Sequence, residues 1–294
     1  FNYVIAKKNN SIIGCLGFIR NKFFSANLRL IDTLWLVNWL VKNPKAGALG
    51  LDLLIFLTEK IKYYRIGAVG LKEKAFLIFD SLGFKTGKLK QYYITNPTIK
   101  NFRLVSLKND QELITNKSKN ITYPKLININ KNINFSVFGN FLNKYIKKFG
   151  KDKKFFINRY INHPVYNYNL YLIKTLNIKY GLIVTRICEF KKNKSIRIVD
   201  FFGNEESLIN LNIPLQKLLI DINAEYLDFY EYGINEKIMS QTGLLINSFD
   251  NKDIIPSYYE PFVKKNIEVK FAIKSNESSF PQLFKGDGDQ DRPY

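Results

Sequence analysis

The chain has 294 residues, a formal net charge of +20, 46% hydrophobic residues and 15% aromatic residues. Length and apolar content of this order suit two domains of ordinary size, each with a buried core, and exclude a disordered polar chain. The apolar runs around Trp35 and Leu54 stop at Lys42 and Thr58, short of a bilayer span, and the start meets Lys7 and Lys8 at once, so no membrane span or leader is expected and a cytoplasmic setting is.

Residues 2–8 and 11–20 read as an antiparallel hairpin about Asn9-Asn10. A strand over 28–42 holds both tryptophans, then breaks at Asn43-Pro44 into Lys45-Ala46-Gly47-Ala48-Leu49-Gly50, after which a helix runs over 51–61. A strand at 65–69, a helix at 73–82 and two closing strands at 91–95 and 101–107 complete a mixed α/β unit ending near Leu107. Small residues at 46, 47, 48 and 50 let backbone N–H groups approach an anion at the positive end of the helix dipole, where a pyrophosphate fits. A plain strand-to-helix turn is the alternative.

This stretch resembles the GNAT (GCN5-related N-acyltransferase) superfamily, whose acyl-CoA loop runs Arg or Gln, two residues, Gly, one residue, Gly or Ala. Lys45-x-x-Ala48-x-Gly50 matches that register, with Lys for Arg and Ala for the first Gly, and Phe79-Asp80-Ser81-Leu82-Gly83-Phe84 is similar to the family's YEKLGF helix end. The resemblance covers the first third of the chain. It implies acyl-CoA, typically acetyl-CoA, as co-substrate. Leu40, Val41 and Lys42 correspond to the positions whose amides pair with pantetheine and polarise the thioester, and Lys45, Ala46, Gly47, Ala48, Leu49 and Gly50 form the phosphate loop. A unit of this family carries a strand and two helices before the hairpin, so a chain opening at Phe1 reads as amino-terminally incomplete.

Residues 108–134 are polar and Asn/Lys-rich and read as a linker. Beyond them, helices are expected at 138–149 and 153–161 and strands at 169–174, 181–190 and 195–202. A helix at 206–223, bent or divided by Pro214, a strand at 226–232 and a helix at 236–242 follow. The order of the first unit recurs, so the expected fold class is α/β with mixed sheets: two GNAT-like domains in tandem, an acyl-CoA-binding domain over 1–107 and a degenerate one over 135–294. In the second copy, Gly203-Asn204-Glu205-Glu206-Ser207 has one glycine and two carboxylates that would repel a pyrophosphate, while Asn235 matches the Asn that often opens the family's fourth helix.

Acyl transfer to an amine needs a base, a donor to polarise the carbonyl and a proton for the departing thiolate. The family's Tyr for that last task corresponds to Phe79, and in the second copy to Met239. Asp32, the only carboxylate on its strand, is a candidate base, with a capping or solvent-facing residue as the alternative. His163, the only histidine, lies near Arg159, Tyr160 and Tyr166 and is the other candidate base, against a helix-end packing role. Trp35 and Trp39, four apart on one strand and so expected on one face, could wall a sugar or acyl pocket or pack the core. The ending Lys-Gly-Asp-Gly-Asp-Gln-Asp-Arg-Pro-Tyr spaces its acids like a calcium loop, but Arg292 stands where that loop needs Gly, so calcium is not expected. The ending also resembles that of GNAT-like proteins of surface-polysaccharide pathways, which implies that Asp287, Asp289 and Asp291 bind sugar hydroxyls or a substrate ammonium; a solvated tail is the alternative. Cys15 and Cys188 read as buried free thiols, and a single His without clustered Cys leaves no metal site expected.

The function expected is that of an acyl-CoA-dependent N-acyltransferase without metal, in which a small-molecule amine, such as a nucleotide-linked amino sugar bound for a surface polysaccharide, attacks the thioester directly. Two other classes stand beside it: a non-catalytic GNAT-like scaffold, and a polyanion-binding module. The last draws on the excess of Lys and Arg, which lies wholly in residues 1–170. A nucleic-acid partner is not expected, because the lysines accompany abundant Asn, Ile, Phe and Tyr, a skew that base composition alone produces.

Overall fold

The computed structural model describes residues 2–43, 48–107, 122–130, 143–249, 253–275 and 282–289. Along the chain come β1 (Asn2–Lys8), β2 (Ser11–Arg20), β3 (Thr33–Val41), α1 (Leu49–Lys60), β4 (Arg65–Val69), α2 (Glu73–Ser81), β5 (Lys85–Lys88), β6 (Lys90–Thr95) and β7 (Lys125–Asn128). Then follow α3 (Ile146–Phe149), α4 (Lys153–Phe156), β8 (Tyr168–Lys174), β9 (Tyr180–Phe190), β10 (Asn193–Gly203), α5 (Asn212–Ile222), β11 (Ala224–Tyr232) and α6 (Glu236–Ser240). The short strands β12 (Leu245–Ile246), β13 (Tyr258–Tyr259) and β14 (Phe262–Val263), then β15 (Lys270–Ser275) and β16 (Leu283–Phe284), close the chain.

The fold is mixed α/β, with two mixed sheets. The first has the order β1-β2-β3-β4-β15-β5, and the second β12-β6-β11-β10-β9-β8-β7, with β16 on β11. Each contains one parallel pair joined by a helix, β3–α1–β4 in the first and β10–α5–β11 in the second. The opening hairpin turns at Asn9 and Asn10, with φ of 49° and 59°, the left-handed pair that a two-residue hairpin turn demands and Asn tolerates.

The sheets do not divide the chain at residue 107. β6, expected to close the first sheet, pairs antiparallel with β11 of the second, and β15 from the far end enters the first between β4 and β5. Residues 101–107 form no strand; Ser106 makes an isolated bridge to Ile254. The expected linker over 108–134 lies in part outside the described residues, and within it Lys125–Asn128 is the edge strand β7 on β8. Much of the helix expected over 138–149 also lies outside them. The helix expected over 206–223 is a short turn at Glu205–Leu208 and then α5, with Asn210 left-handed between them at φ 57°. Pro214 sits in the first turn of α5, where a missing N–H costs little.

Alternation along β3 fixes two packing layers. Leu34 and Leu36 face Leu53, Leu54 and Leu57 of α1 and Phe79 of α2, whereas Trp35 and Val37 face the opposite layer with Phe271, Ile273, Tyr230 and Leu283. That second layer draws on both sheets and joins them. The phase then slips: Gly17 pairs with Val37 and Leu16 with Trp39, leaving Asn38 as a bulged residue at φ 48°. Trp39 therefore packs on the helix side, and the two tryptophans lie on opposite faces, contrary to the expectation from their spacing.

Candidate functional site

β3 and β4 pair only over Thr33–Trp35 and Arg65–Gly67, then part. The parting opens a cleft of about 770 Å³ lined by residues 36–40, by residues 68–72 at the end of β4 and just beyond it, and by Ala75 and Phe79 of α2. Its other wall comes from late in the chain: Tyr258, Val263, Lys265, Ile267 and Glu268. Lys42 donates its backbone N–H to Ile13 at 2.8 Å. Amide direction alternates along a strand, so Val41 turns its N–H to the open edge. Of the three amides expected to meet pantetheine, that of Lys42 is thus already engaged, and the same alternation turns that of Leu40 toward β2, leaving Val41.

The first turn of α1 lies at the end of this edge, with Ala48 as its capping residue and Leu49 and Gly50 opening it. Gly50 meets Trp39 closely: its carbonyl accepts from Trp39 Nε1 at 3.2 Å, and a Cβ on Gly50 would lie 3.2 Å from the same nitrogen. Trp39 in turn packs on Phe79 with ring centroids 5.5 Å apart. Lys45, Ala46 and Gly47 lie outside the described residues.

Other expected site residues fall elsewhere. Asp32 precedes β3 and is buried, accepting from Arg20 Nε at 2.6 Å and from the Lys22 N–H at 3.0 Å. Burial pushes its carboxyl up despite those partners. It is not among the residues that line the cleft, which on this strand begin at Leu36. Trp35 is buried between the sheets with Nε1 on Asn21 Oδ1 at 3.2 Å. His163 closes a turn, its Nδ1 accepting from the N–H groups of Val165 (3.2 Å) and Tyr166 (2.8 Å) and its ring stacked on Tyr166.

The carboxyl-terminal acids are ion-paired inside the molecule. Asp287 meets Lys151 Nζ at 2.9 Å and accepts from the Phe284 N–H, and Lys151 also binds Asp200 at 2.8 Å, which accepts from the Tyr160 hydroxyl at 2.7 Å. Burial opposes the charge on Lys151, but Asp200 and Asp287 outweigh it and hold the ammonium above its ordinary pKa. Burial raises Asp200, with Lys151 opposing and Asp287 adding to the rise. Asp289 pairs with Arg159 at 3.1 Å, and Asp291 lies outside the described residues. Neither Asp287 nor Asp289 lines the cleft.

The parting of β10 and β11 in the second sheet is filled from within. β6 takes one side of β11 as far as Glu231, and β16 pairs with Glu231 and Tyr232 where β10 has left the other side. Of the acids expected to repel a phosphate, Glu205 accepts from Lys148, Gln282 and the Asn235 N–H, and Glu206 pairs with Lys179. Sequence reasoning missed the wall at 258–268, which carries no motif and reaches the cleft only by tertiary packing.

No protein-family model matches the sequence, and no curated protein does. Among solved structures, a GCN5-related N-acetyltransferase from Anabaena variabilis aligns at 8% identity and a TM-score of 0.49 over 93% of this chain and 62% of its own. Eis1 from Mycobacterium abscessus aligns at 10% identity and a TM-score of 0.45 over 93% of this chain and 64% of its own. A conserved protein from Enterococcus faecalis V583 aligns at 8% identity and a TM-score of 0.45, over 91% and 60%. The chain thus spans less than two thirds of the length of these structures, and the likeness assigns it no activity. No described helix is long and apolar enough to cross a membrane.

Proposed function

We propose that the chain is an acyl-CoA-dependent N-acyltransferase made of two GNAT-like units, with the acyl donor in the cleft between β3 and β4. The observation that carries this reading is the parting of two parallel strands beside the first turn of a helix. An extended amide-bearing arm can pair with the open edge at Val41, and a pyrophosphate can reach the α1 amino terminus past Gly50. Neutral amine attack on the thioester then needs no covalent enzyme intermediate. The unit over 1–107 supplies the donor site and the late segment 258–268 supplies the facing wall.

The acceptor enters from that wall, where Lys265 and Glu268 are exposed. An amino sugar, nucleotide-linked and bound for surface polysaccharide, remains the acceptor class to assay first. Its support is the resemblance of the carboxyl-terminal ending, since Asp287 and Asp289 are engaged in ion pairs. Asp32 and His163 take no direct part in this reading.

A second reading, a donor-binding protein without turnover, draws on Phe79, which has no hydroxyl at the position where the family often has one. Calorimetry with acetyl-CoA, followed by thiol release in the presence of a panel of amines, separates the two. Tight binding without release supports the second reading, and absence of binding overturns both.

A further inference from the structure

Two segments far apart in the chain, 20–31 and 143–159, lie against each other and hold a single carboxylate between them, Asp152. Their contacts are specific. Asn21 Nδ2 donates to the Gly150 carbonyl at 2.9 Å, Asn158 Nδ2 donates to the Phe24 carbonyl at 2.7 Å, and Phe24 meets Phe155 edge-on with ring centroids 5.4 Å apart. Asp152 is buried at the junction, its Oδ2 accepting from Ser25 Oγ at 2.8 Å and Asn27 Nδ2 at 3.2 Å, and its Oδ1 from the Phe155 N–H at the start of α4. The negative charge is thereby taken inside. Arg29, Lys144, Lys147, Lys153 and Lys154 are exposed and Lys22 is half-buried, while Asp32 beside them is spent on Arg20 and the Lys22 N–H, and Glu205 on Lys148. The face also keeps apolar groups that the core does not take. Leu28, Phe149 and Phe155 are buried, whereas Leu30 is 87% exposed and Phe23 50%. A Cβ on Gly150 would lie 3.4 Å from the Ile31 carbonyl, which sets Leu30 beside the second basic segment.

We propose that this face binds the surface of an anionic bilayer, with the lysines and Arg29 on the headgroups and Leu30 and Phe23 entering the interface. Charge complementarity selects an anionic partner and excludes a second copy of the same face, which would meet its own charge. Nucleic acid meets the charge requirement equally, but an aliphatic side chain gains nothing against phosphate groups and does gain at an acyl boundary. The exposed leucine therefore decides for lipid. Part of the lysine and arginine excess of residues 1–170 finds a task here. None of these residues lines the cleft between β3 and β4, so membrane binding and acyl transfer are separately testable.

The test cosediments the full chain with vesicles of phosphatidylcholine alone or mixed with phosphatidylserine, at low and at high salt. The wild type should bind only the mixed vesicles and leave them at high salt. Arg29→Glu combined with Lys154→Glu is expected to lower that binding at least about tenfold. Lys7→Glu combined with Lys8→Glu makes the same change of charge at the other end of the hairpin from Arg20, and should lower it far less. Leu30→Ser should lower binding about fivefold, and Leu30→Trp should keep it and shift the emission to the blue on mixed vesicles. All of these positions are exposed, and circular dichroism checks that each variant folds. No preference for phosphatidylserine, equal losses in the two charge-reversed pairs, or indifference to Leu30→Ser overturns the proposal. A DNA duplex bound more tightly than the mixed vesicles assigns the face to nucleic acid and overturns it as well.

Discussion

The backbone N–H of Gly286 donates to the Val199 carbonyl at 2.7 Å and ties the carboxyl-terminal segment to β10 just where β10 leaves β11. Together with the pairing of Leu283 and Phe284 to β11, this fills in the second sheet the opening that stays free in the first. Calorimetric titration is therefore expected to give one acetyl-CoA per chain. Two equivalents would mean that the segment vacates its place, against the bonds that hold it.

Lys151 places its ammonium between two buried carboxylates, with 2% exposure of its own. Lys151→Met leaves Asp200 and Asp287 facing each other without a countercharge, and removal of one member of a buried ion pair costs about 3–5 kcal/mol. Urea unfolding should show a loss of that order, and Asp287→Asn, which keeps an oxygen for the Phe284 N–H, a smaller one. Equal stability of Lys151→Met and the wild type would show that the network carries no net weight.

A Cβ on Gly50 would press on the Trp39 indole at 3.2 Å. Gly50→Val should push the indole out of its place and weaken acetyl-CoA binding at least about tenfold, or roughly 1.4 kcal/mol, while costing about 1–3 kcal/mol of stability through overpacking. Tryptophan fluorescence reports the movement, since Trp35 sits in the other layer. Unchanged affinity would remove the α1 amino terminus from the donor site.

Burial pushes the Glu231 carboxyl up to about 7 from 4.5, against the N–H bond it accepts from Ile234. A carboxyl whose folded pKa exceeds its unfolded one holds its proton longer in the folded state. Stability is then highest below about pH 4.5 for this group and falls as pH rises through about 7, by at most roughly 3 kcal/mol. Glu231→Gln keeps the acceptor for Ile234 and should flatten that part of the stability–pH curve. A slope unchanged in the variant would assign the effect to another group.

Local chemistry was enough to read the opening hairpin, the strand–helix–strand order of the first unit and the three strands at 168–203, because the Asn-Asn turn, apolar periodicity and capping all act within a few residues. Position 38 was not legible: a bulge depends on how two strands settle their register, and one extra residue sent Trp39 to the face opposite Trp35. Nor could spacing foretell that residues 270–275 would join β4, some two hundred positions earlier, while 90–95 crossed to β11. Strand partners so distant are chosen by which edges remain unpaired and by what burial rewards, quantities that exist only once both sheets have formed. The carboxyl-terminal acids make the same point, since Asp287 reads in the chain as a substrate-binding or solvated carboxylate and becomes an interior ion-pair member only where Lys151 and the vacant side of β11 meet it. Sequence alone determined which segments could form strands and helices, because those choices are made within a few residues; tertiary pairing decided which of them share a sheet, which parted strands stay open and which residues wall the cleft.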